Sequence, residues 1–380
     1  MKHPFLLFAI CLVLTGTGFR HSQQWQWWDP ASNAFPVLEG RAWPGQPGDP
    51  YGRLPAAAEK TVSADVWGLS HNSAGLYIKF STNASDIVIR YTVLNSGSFA
   101  MYHMPATGVS GVDLYAIGCD GSWVWAPGLF SFGDTIEYRF TGLGADTAHP
   151  GREVEYRLFL PLYNTVTSLR IGVPEDASFR ALPLSPKKPV VVYGTSIAQG
   201  ACASRPGLAW TAILQRRLDR PLINLGFSGS GKLEAPVIDW INTIDARLYV
   251  LDCLPNLSAS AGFTGDQVEA LTARAVRTLR ARHPSTPILL TEHSGGHPMR
   301  LIDTARRREF RRVNEAVESV FARLQSEGIR NIYLLKAAAI GLDINSTVDG
   351  IHPNDIGMRQ YADAYEQCIR AILDERQTRH

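Results

Sequence analysis

A serine, a histidine and an aspartate stand in this chain where they could carry out acyl transfer. Ser196 follows the run Pro189-Val190-Val191-Val192-Tyr193-Gly194-Thr195. An apolar stretch that stops in Gly-Thr-Ser and continues as helix-like sequence puts a hydroxyl at the carboxyl end of a buried strand. Open α/β sheets bind ligands at that edge. Far downstream, Asp349 precedes His352 by three residues in Asp349-Gly350-Ile351-His352-Pro353. A serine hydroxyl needs a base to become a useful nucleophile. A carboxylate on the second ring nitrogen fixes the tautomer of that base and stabilises the imidazolium it forms. Ser196, His352 and Asp349 supply these three roles.

The elements that must position them divide the chain in two. From about Trp25 to Arg180 the sequence reads as β-structure. Alternating runs at Leu76–Phe80, Ile87–Val93, Val112–Ala116, Tyr156–Leu160 and Val166–Ile171 are split by Gly, Asn, Asp and Pro turns. This pattern predicts an antiparallel β-sandwich, jelly-roll-like, over residues 23–183. Most of the nine tryptophans lie in this half. They could stack on sugars, although core packing is the commoner fate of the residue. A proline-rich linker, Leu182–Pro189, blocks both helix and central strand. Beyond it, five short apolar strands (Val190–Tyr193, Leu222–Leu225, Leu248–Leu251, Ile288–Thr291, Ile332–Leu335) alternate with helical patterns near Ala209–Leu218, Ala235–Ile244, Gly265–Arg282, Thr304–Glu327 and Asp355–Asp374. Such alternation predicts a parallel sheet covered on both faces: a three-layer α/β/α, flavodoxin-like domain over 184–380.

Four stretches then fall at strand ends on one sheet edge: Gly194-Thr195-Ser196, Asn224–Gly231, Asp252–Asn256 and Asp349–His352. Together they resemble the consensus blocks of the SGNH (GDSL-like) hydrolase superfamily. Ser196 matches the block-one serine, Gly229 the block-two glycine, Asn256 the block-three asparagine and His352 the block-five histidine. Gly111-Val112-Asp113-Leu114-Tyr115 matches the Gly-x-Asp-Leu-Tyr signature of a subfamily that carries a β-sandwich ahead of the hydrolase domain. The resemblance spans roughly residues 60–375 and implies esterase activity, often deacetylation of carbohydrate. The sequence departs from the pattern twice: Thr195 replaces the usual acid of block one, and Leu254-Pro255-Asn256-Leu257 keeps only the asparagine of block three.

The tetrahedral oxyanion of acyl transfer needs donors aimed at it. The backbone N–H groups of Ser196 and Gly229 and the side-chain amide of Asn256 are the candidates. Arg205, just past the nucleophile turn, could contact substrate or form a structural ion pair. Glu292 ends the fourth strand at the same edge and is a second substrate-binding candidate. Glu292, His293 and His297 would offer metal ligands, but a serine mechanism requires neither metal nor cofactor, and none is expected. Asp113 and Tyr115 read as packing residues of the leading domain. Cys202 and Cys253 both lie at the catalytic edge, so they read either as a disulfide that pins the loops or as two small buried thiols.

Composition narrows the function. The chain has 380 residues, 45% of them apolar, and a formal charge of +2. It carries no basic stripe for nucleic acid, and the arginines at 306–308, 311 and 312 read as a solvated helix face. Lys2 and His3 before the apolar run Phe5–Leu14 resemble an export signal, assigned here to residues 1–22. That run is too short to span a bilayer. The expectation is an exported protein, periplasmic or extracellular, with no membrane span and an ester substrate, either a small molecule or a polysaccharide. Two rivals stay open: a lipase or thioesterase on the same site, and a carbohydrate-binding protein whose hydrolase domain is inactive. The oligomeric state is left open by the sequence.

Overall fold

The C-terminal strands form because their residues are apolar and β-branched on both faces, the mark of a parallel strand covered by helices on each side. In the computed structural model, which describes residues 23–144, 151–295 and 302–377, they are β1 (Val190–Gly194), β2 (Leu222–Gly226), β3 (Leu248–Asp252), β4 (Ile288–Thr291) and β5 (Ile332–Leu335). The sheet is parallel in the order β2-β1-β3-β4-β5. This is the flavodoxin-like order, whose ligand crevice lies at the β1/β3 switch point. Ser196 follows β1 directly.

Alternate residues of β1 feed two separate cores. Val191 and Tyr193 face helices Ala235–Ile241, Gly265–Arg282 and Thr304–Ser326. Val190 and Val192 face helices Trp210–Leu218 and Asp355–Gln377, where Trp210 stacks on Tyr365 at 4.2 Å. Each long helix presents one apolar stripe, as a half-covered helix must.

The N-terminal half forms two antiparallel sheets. One orders strands Trp25–Trp28, Val166–Pro174, Ile87–Val93, Ile136–Phe140 and Leu129–Ser131. The other orders Phe179–Ala181, Tyr77–Thr82, Val154–Phe159, Asp113–Ile117 and Trp123–Ala126. Their inner faces share a core that includes Ile78, Phe80, Ile89, Leu114, Leu158 and Ile171. Five of the ten main strands, at Trp25–Trp28, Trp123–Ala126, Leu129–Ser131, Ile136–Phe140 and Phe179–Ala181, are not marked by the alternating runs. The first three carry aromatic or apolar residues on their outer faces, which blurs the two-residue period.

Several sandwich tryptophans carry an arginine over the ring. Arginine guanidinium groups lie over Trp27 (Arg90, 4.7 Å), Trp123 (Arg157, 4.4 Å) and Trp125 (Arg205, 4.1 Å).

The two halves are interleaved in space. Trp43, Leu54, Ala58 and Val66, early in the chain, join the hydrolase core, and the Trp43 indole donates to Thr243 Oγ1 at 2.9 Å. Tyr77, Tyr115 and Phe159 of the sandwich pack into the opposite hydrolase core. Buried Arg53 spans the seam, donating to the carbonyls of Leu69, Asn72 and Gly226. No described helix is long and apolar enough to cross a membrane. The expected export signal at 1–22 lies outside the described residues.

Candidate active site

Each turn at the β-sheet edge has a local reason for its shape. Thr195 caps the short helix Ser196–Gln199, its Oγ1 accepting from the Ile197 N–H. This is a role its hydroxyl fills as a serine or aspartate would. Ser196 is thereby presented at the first helical position. Downstream, Gly350 (φ +84°) lets residues 349–352 fold into a tight turn. Asp349 Oδ1 accepts from the N–H groups of Ile351 (2.9 Å) and His352 (2.8 Å), and Val348 N–H donates to the His352 carbonyl at 3.0 Å.

The structure brings the distant residues together. Ser196 Oγ lies 2.9 Å from His352 Nε2, and His352 Nδ1 lies 2.7 Å from Asp349 Oδ2. Burial alone would raise the Asp349 carboxyl. Its bonds to the His352 ring and to the His352 and Ile351 N–H groups outweigh that and hold it below the usual carboxylate range. The Asp349 carboxyl is therefore ionised at neutral pH.

The block-two and block-three loops arrive at the same edge. Phe227 N–H donates to the Gly194 carbonyl at 3.0 Å. A Cβ on Gly231 would fall 2.1 Å from that same oxygen, so only glycine lets this loop lie on the end of β1. Gly229 is glycine for a different reason. Its φ is +69° while a Cβ there would meet open space, so conformation rather than crowding selects the residue. The Asn256 side-chain amide donates to the Ser230 carbonyl, which fixes Asn256 against the Gly229 loop and leaves its second N–H to donate elsewhere. The loss of the block-three glycine has thus not released this amide.

Two supports, Gln199 and Tyr163, and one further neighbour, His103, had no motif to announce them. Gln199 Oε1 accepts from Ser228 N–H at 2.9 Å, while its amide donates to Leu162 O and Asn72 Oδ1, each at 3.2 Å. Tyr163, from the sandwich side, donates to the Ser196 carbonyl at 3.4 Å. His103, also from the sandwich, brings its ring to 6.2 Å from that of His352. A cavity of about 400 Å³, lined in part by Leu254, Pro255, Phe310, Val313, Arg306 and Ile351, opens beside the chain neighbours of Asn256 and His352.

Other expected residues serve elsewhere. Arg205 forms the structural ion pair: its Nη1 bonds Asp113 Oδ2 and the Tyr115 hydroxyl, both at 2.6 Å, and its plane covers Trp125. Asp113 also accepts from Trp125 Nε1 (2.6 Å) and Gly207 N–H (3.0 Å). The Gly-x-Asp-Leu-Tyr motif is therefore a clamp between the halves. Glu292 likewise bonds within the protein. It accepts from Ala337 N–H at 2.8 Å and pairs with Lys336 at 2.9 Å, holding the start of helix Ala337–Ile340. His293 is buried, which lowers its pKa to about 4, and it accepts from Gly295 N–H. His297 lies outside the described residues.

Of the two readings of Cys202 and Cys253, the disulfide does not form; both thiols are free and buried. Cys253 turns into the core and donates to the Tyr193 carbonyl. Cys202 sits in a left-handed turn (φ +69°), where burial, helped by the Asp349 charge, pushes its thiol up to about 12. The shared sheet edge placed both cysteines, but their side chains enter different surroundings. Neither thiol ionises at neutral pH.

A flavodoxin-like sheet with a Ser-His-Asp relay at its switch point, fronted by an antiparallel sandwich, defines a two-part α/β hydrolase. The GDSL-like lipase/acylhydrolase family profile matches residues 187–370, and that of the N-terminus of SGNH-hydrolase-type esterases, named for Gly-x-Asp-Leu-Tyr, matches residues 25–179. The crystal structure of a candidate GDSL-like lipase from Bacteroides ovatus is 34% identical, over 92% of this chain and 98% of that one, with a TM-score of 0.79. The chain belongs to the SGNH (GDSL-like) hydrolases. The same fold recurs in a salicylyl-acyltransferase from a tetracycline biosynthetic pathway (19% identity, 92% of this chain and 97% of that one, TM-score 0.69). It recurs too in a family two carbohydrate esterase from Cellvibrio japonicus (13% identity, 93% and 99%, TM-score 0.55). No curated protein matches the chain.

Proposed function

We propose that this protein is an exported serine esterase that removes short acyl groups, chiefly O-acetyl, from carbohydrate. The observation that carries the reading is the continuous relay Ser196 Oγ, His352 Nε2, His352 Nδ1, Asp349 Oδ2 at the switch point. In this mechanism Ser196 Oγ attacks the ester carbonyl carbon as its proton passes to His352. The oxyanion is held by the N–H groups of Ser196 and Gly229 and the Asn256 amide. The C–O bond then breaks, His352 returns the proton to the departing alcohol, and the acyl group stays on Ser196. Water, deprotonated by His352, attacks the acyl-enzyme and releases the acid.

The two-part architecture shared with the Cellvibrio japonicus carbohydrate esterase supports the carbohydrate assignment. The completed relay favours catalysis over a protein that only binds sugar. The basic start and apolar run of residues 2–14 support export to the periplasm or beyond. N-terminal sequencing of exported protein checks that point, and a mature chain beginning near residue 23 is expected.

The test of the reading is Ser196→Ala, assayed on p-nitrophenyl acetate and by acetate release from acetylated xylo-oligosaccharides. Turnover is expected to fall at least about 10³-fold on both, with loss of fluorophosphonate labelling. Retention of most activity refutes the assignment of the nucleophile. Activity on the nitrophenyl ester with none on any acetylated saccharide refutes the carbohydrate assignment.

A further inference from the structure

The sandwich reaches the catalytic histidine through one small turn. Met101 N–H donates to Met104 O at 2.9 Å and Met104 N–H returns a bond to Met101 O at 3.1 Å, closing a two-residue tip of Tyr102 and His103. The hydrolase half holds the base of this turn. Met104 is buried in the core shared with helices Trp210–Leu218 and Asp355–Gln377. Thr107 Oγ1 donates to Ser204 O at 2.6 Å, and Gly108 lies so close that a Cβ would fall 2.2 Å from Ala203 O. Ala203 and Ser204 belong to the loop that follows the nucleophile helix. The tip is thus anchored to the structure that presents Ser196.

At that tip Tyr102 is fully exposed and His103 half-buried. The two rings lie 4.3 Å apart, and the His103 ring is 6.2 Å from that of His352. His103 Nδ1 is buried without a hydrogen-bond partner among the described residues. Burying an imidazole nitrogen unpaired is unfavourable. No described protein contact accounts for placing a histidine here.

We infer that His103 is a substrate-contacting residue that reads the alcohol side of the ester, selecting leaving groups that carry further hydroxyls, such as a sugar ring. The inference rests on the esterase reading above. In acyl transfer the carbonyl oxygen turns to the N–H donors, while the departing oxygen must approach His352 Nε2 to receive its proton. A ring beside His352 therefore borders the leaving group, a bond or two beyond the reacting oxygen. With Nδ1 buried, His103 Nε2 is the ring nitrogen left to meet a substrate hydroxyl, as donor or acceptor according to the tautomer. The exposed Tyr102 ring beside it gives a flat apolar face for the C–H side of a sugar.

The test compares two esters of the same acid, 6-O-acetylglucose and p-nitrophenyl acetate, on the full protein and its His103→Ala and His103→Gln variants. For His103→Ala, kcat/KM on acetylglucose is expected to fall about 10–100-fold, mainly through KM. The nitrophenyl ester should stay within about threefold, which also shows that the variant folds. His103→Gln, whose amide both donates and accepts, should recover part of the loss. Equal losses on both esters would make His103 a support of His352 and overturn the inference, as would no loss on either. A wild-type enzyme that does not turn over acetylglucose overturns it too. Failure of the esterase reading shows separately, as Ser196→Ala retaining both activities.

Discussion

The catalytic edge and the domain seam use the same pair of chemical groups, a carboxylate and a nitrogen base, to opposite ends. At the edge, Asp349 and His352 sit three residues apart on an open turn, with 45% and 25% of their side chains exposed. At the seam, Asp113 and Arg205 come from different halves, and Asp113 keeps only 4% of its side chain exposed. The edge pair can take up and release a proton because it is open to solvent and imidazole, unlike guanidinium, exists in both protonation states. The seam pair cannot, because guanidinium stays protonated and the carboxylate has three donors already in place. Exposure and the choice of base, rather than the presence of a carboxylate, separate a machine part from a fastener.

The sharpest way to break this contrast is to damage each pair and read activity and stability together. Asp349→Asn keeps an acceptor for the two backbone N–H groups but presents the wrong partner to the His352 ring. Turnover of p-nitrophenyl acetate should fall roughly 10³–10⁴-fold, with the denaturation midpoint nearly unchanged. Arg205→Ala should do the reverse. It leaves Asp113 buried without its cation, a destabilisation of about 3 kcal/mol by denaturant titration, while turnover by the folded fraction changes less than about tenfold. An Arg205→Ala enzyme that melts normally yet has lost turnover would erase the distinction and return Arg205 to the cleft.

A third carboxylate gives a smaller, pH-dependent refinement. Asp252, at the end of β3 and in register with Gly194, is buried with one oxygen unpartnered. Burial raises it to about 7, against a weaker opposing hydrogen bond from Tyr365. A carboxyl raised in the folded state stabilises fully below the ordinary aspartate value near 4, and that contribution is lost as pH rises through about 7. Denaturation midpoints should therefore decline between about pH 4 and 7, and Asp252→Asn should flatten the decline. An unchanged slope in the variant would mean that Asp252 is charged and paired, like Asp113.

Much of this arrangement was legible before any coordinates. The five parallel strands start and stop within a residue or two of the apolar runs, since both faces of each are buried and the hydrophobic signal is undiluted. The Asp349–His352 turn was legible because three residues and a glycine suffice to close it. In the sandwich, strands with aromatic outer faces escaped notice because arginine stacking lets tryptophan sit at the surface and breaks the alternation.

The sequence by itself determined the local pieces: which segments are strands, which turns end them, and which side chains of catalytic type stand at those ends. These follow from short-range sterics and from the burial of apolar runs. Only the tertiary structure decided where side chains on long loops point and what meets them. It turned Arg205 to Asp113, sent Cys202 and Cys253 into different surroundings, and set His103 beside His352. Those outcomes depend on how separately patterned surfaces pack, and that is fixed by shape complementarity between residues sixty or more apart, which no local pattern encodes.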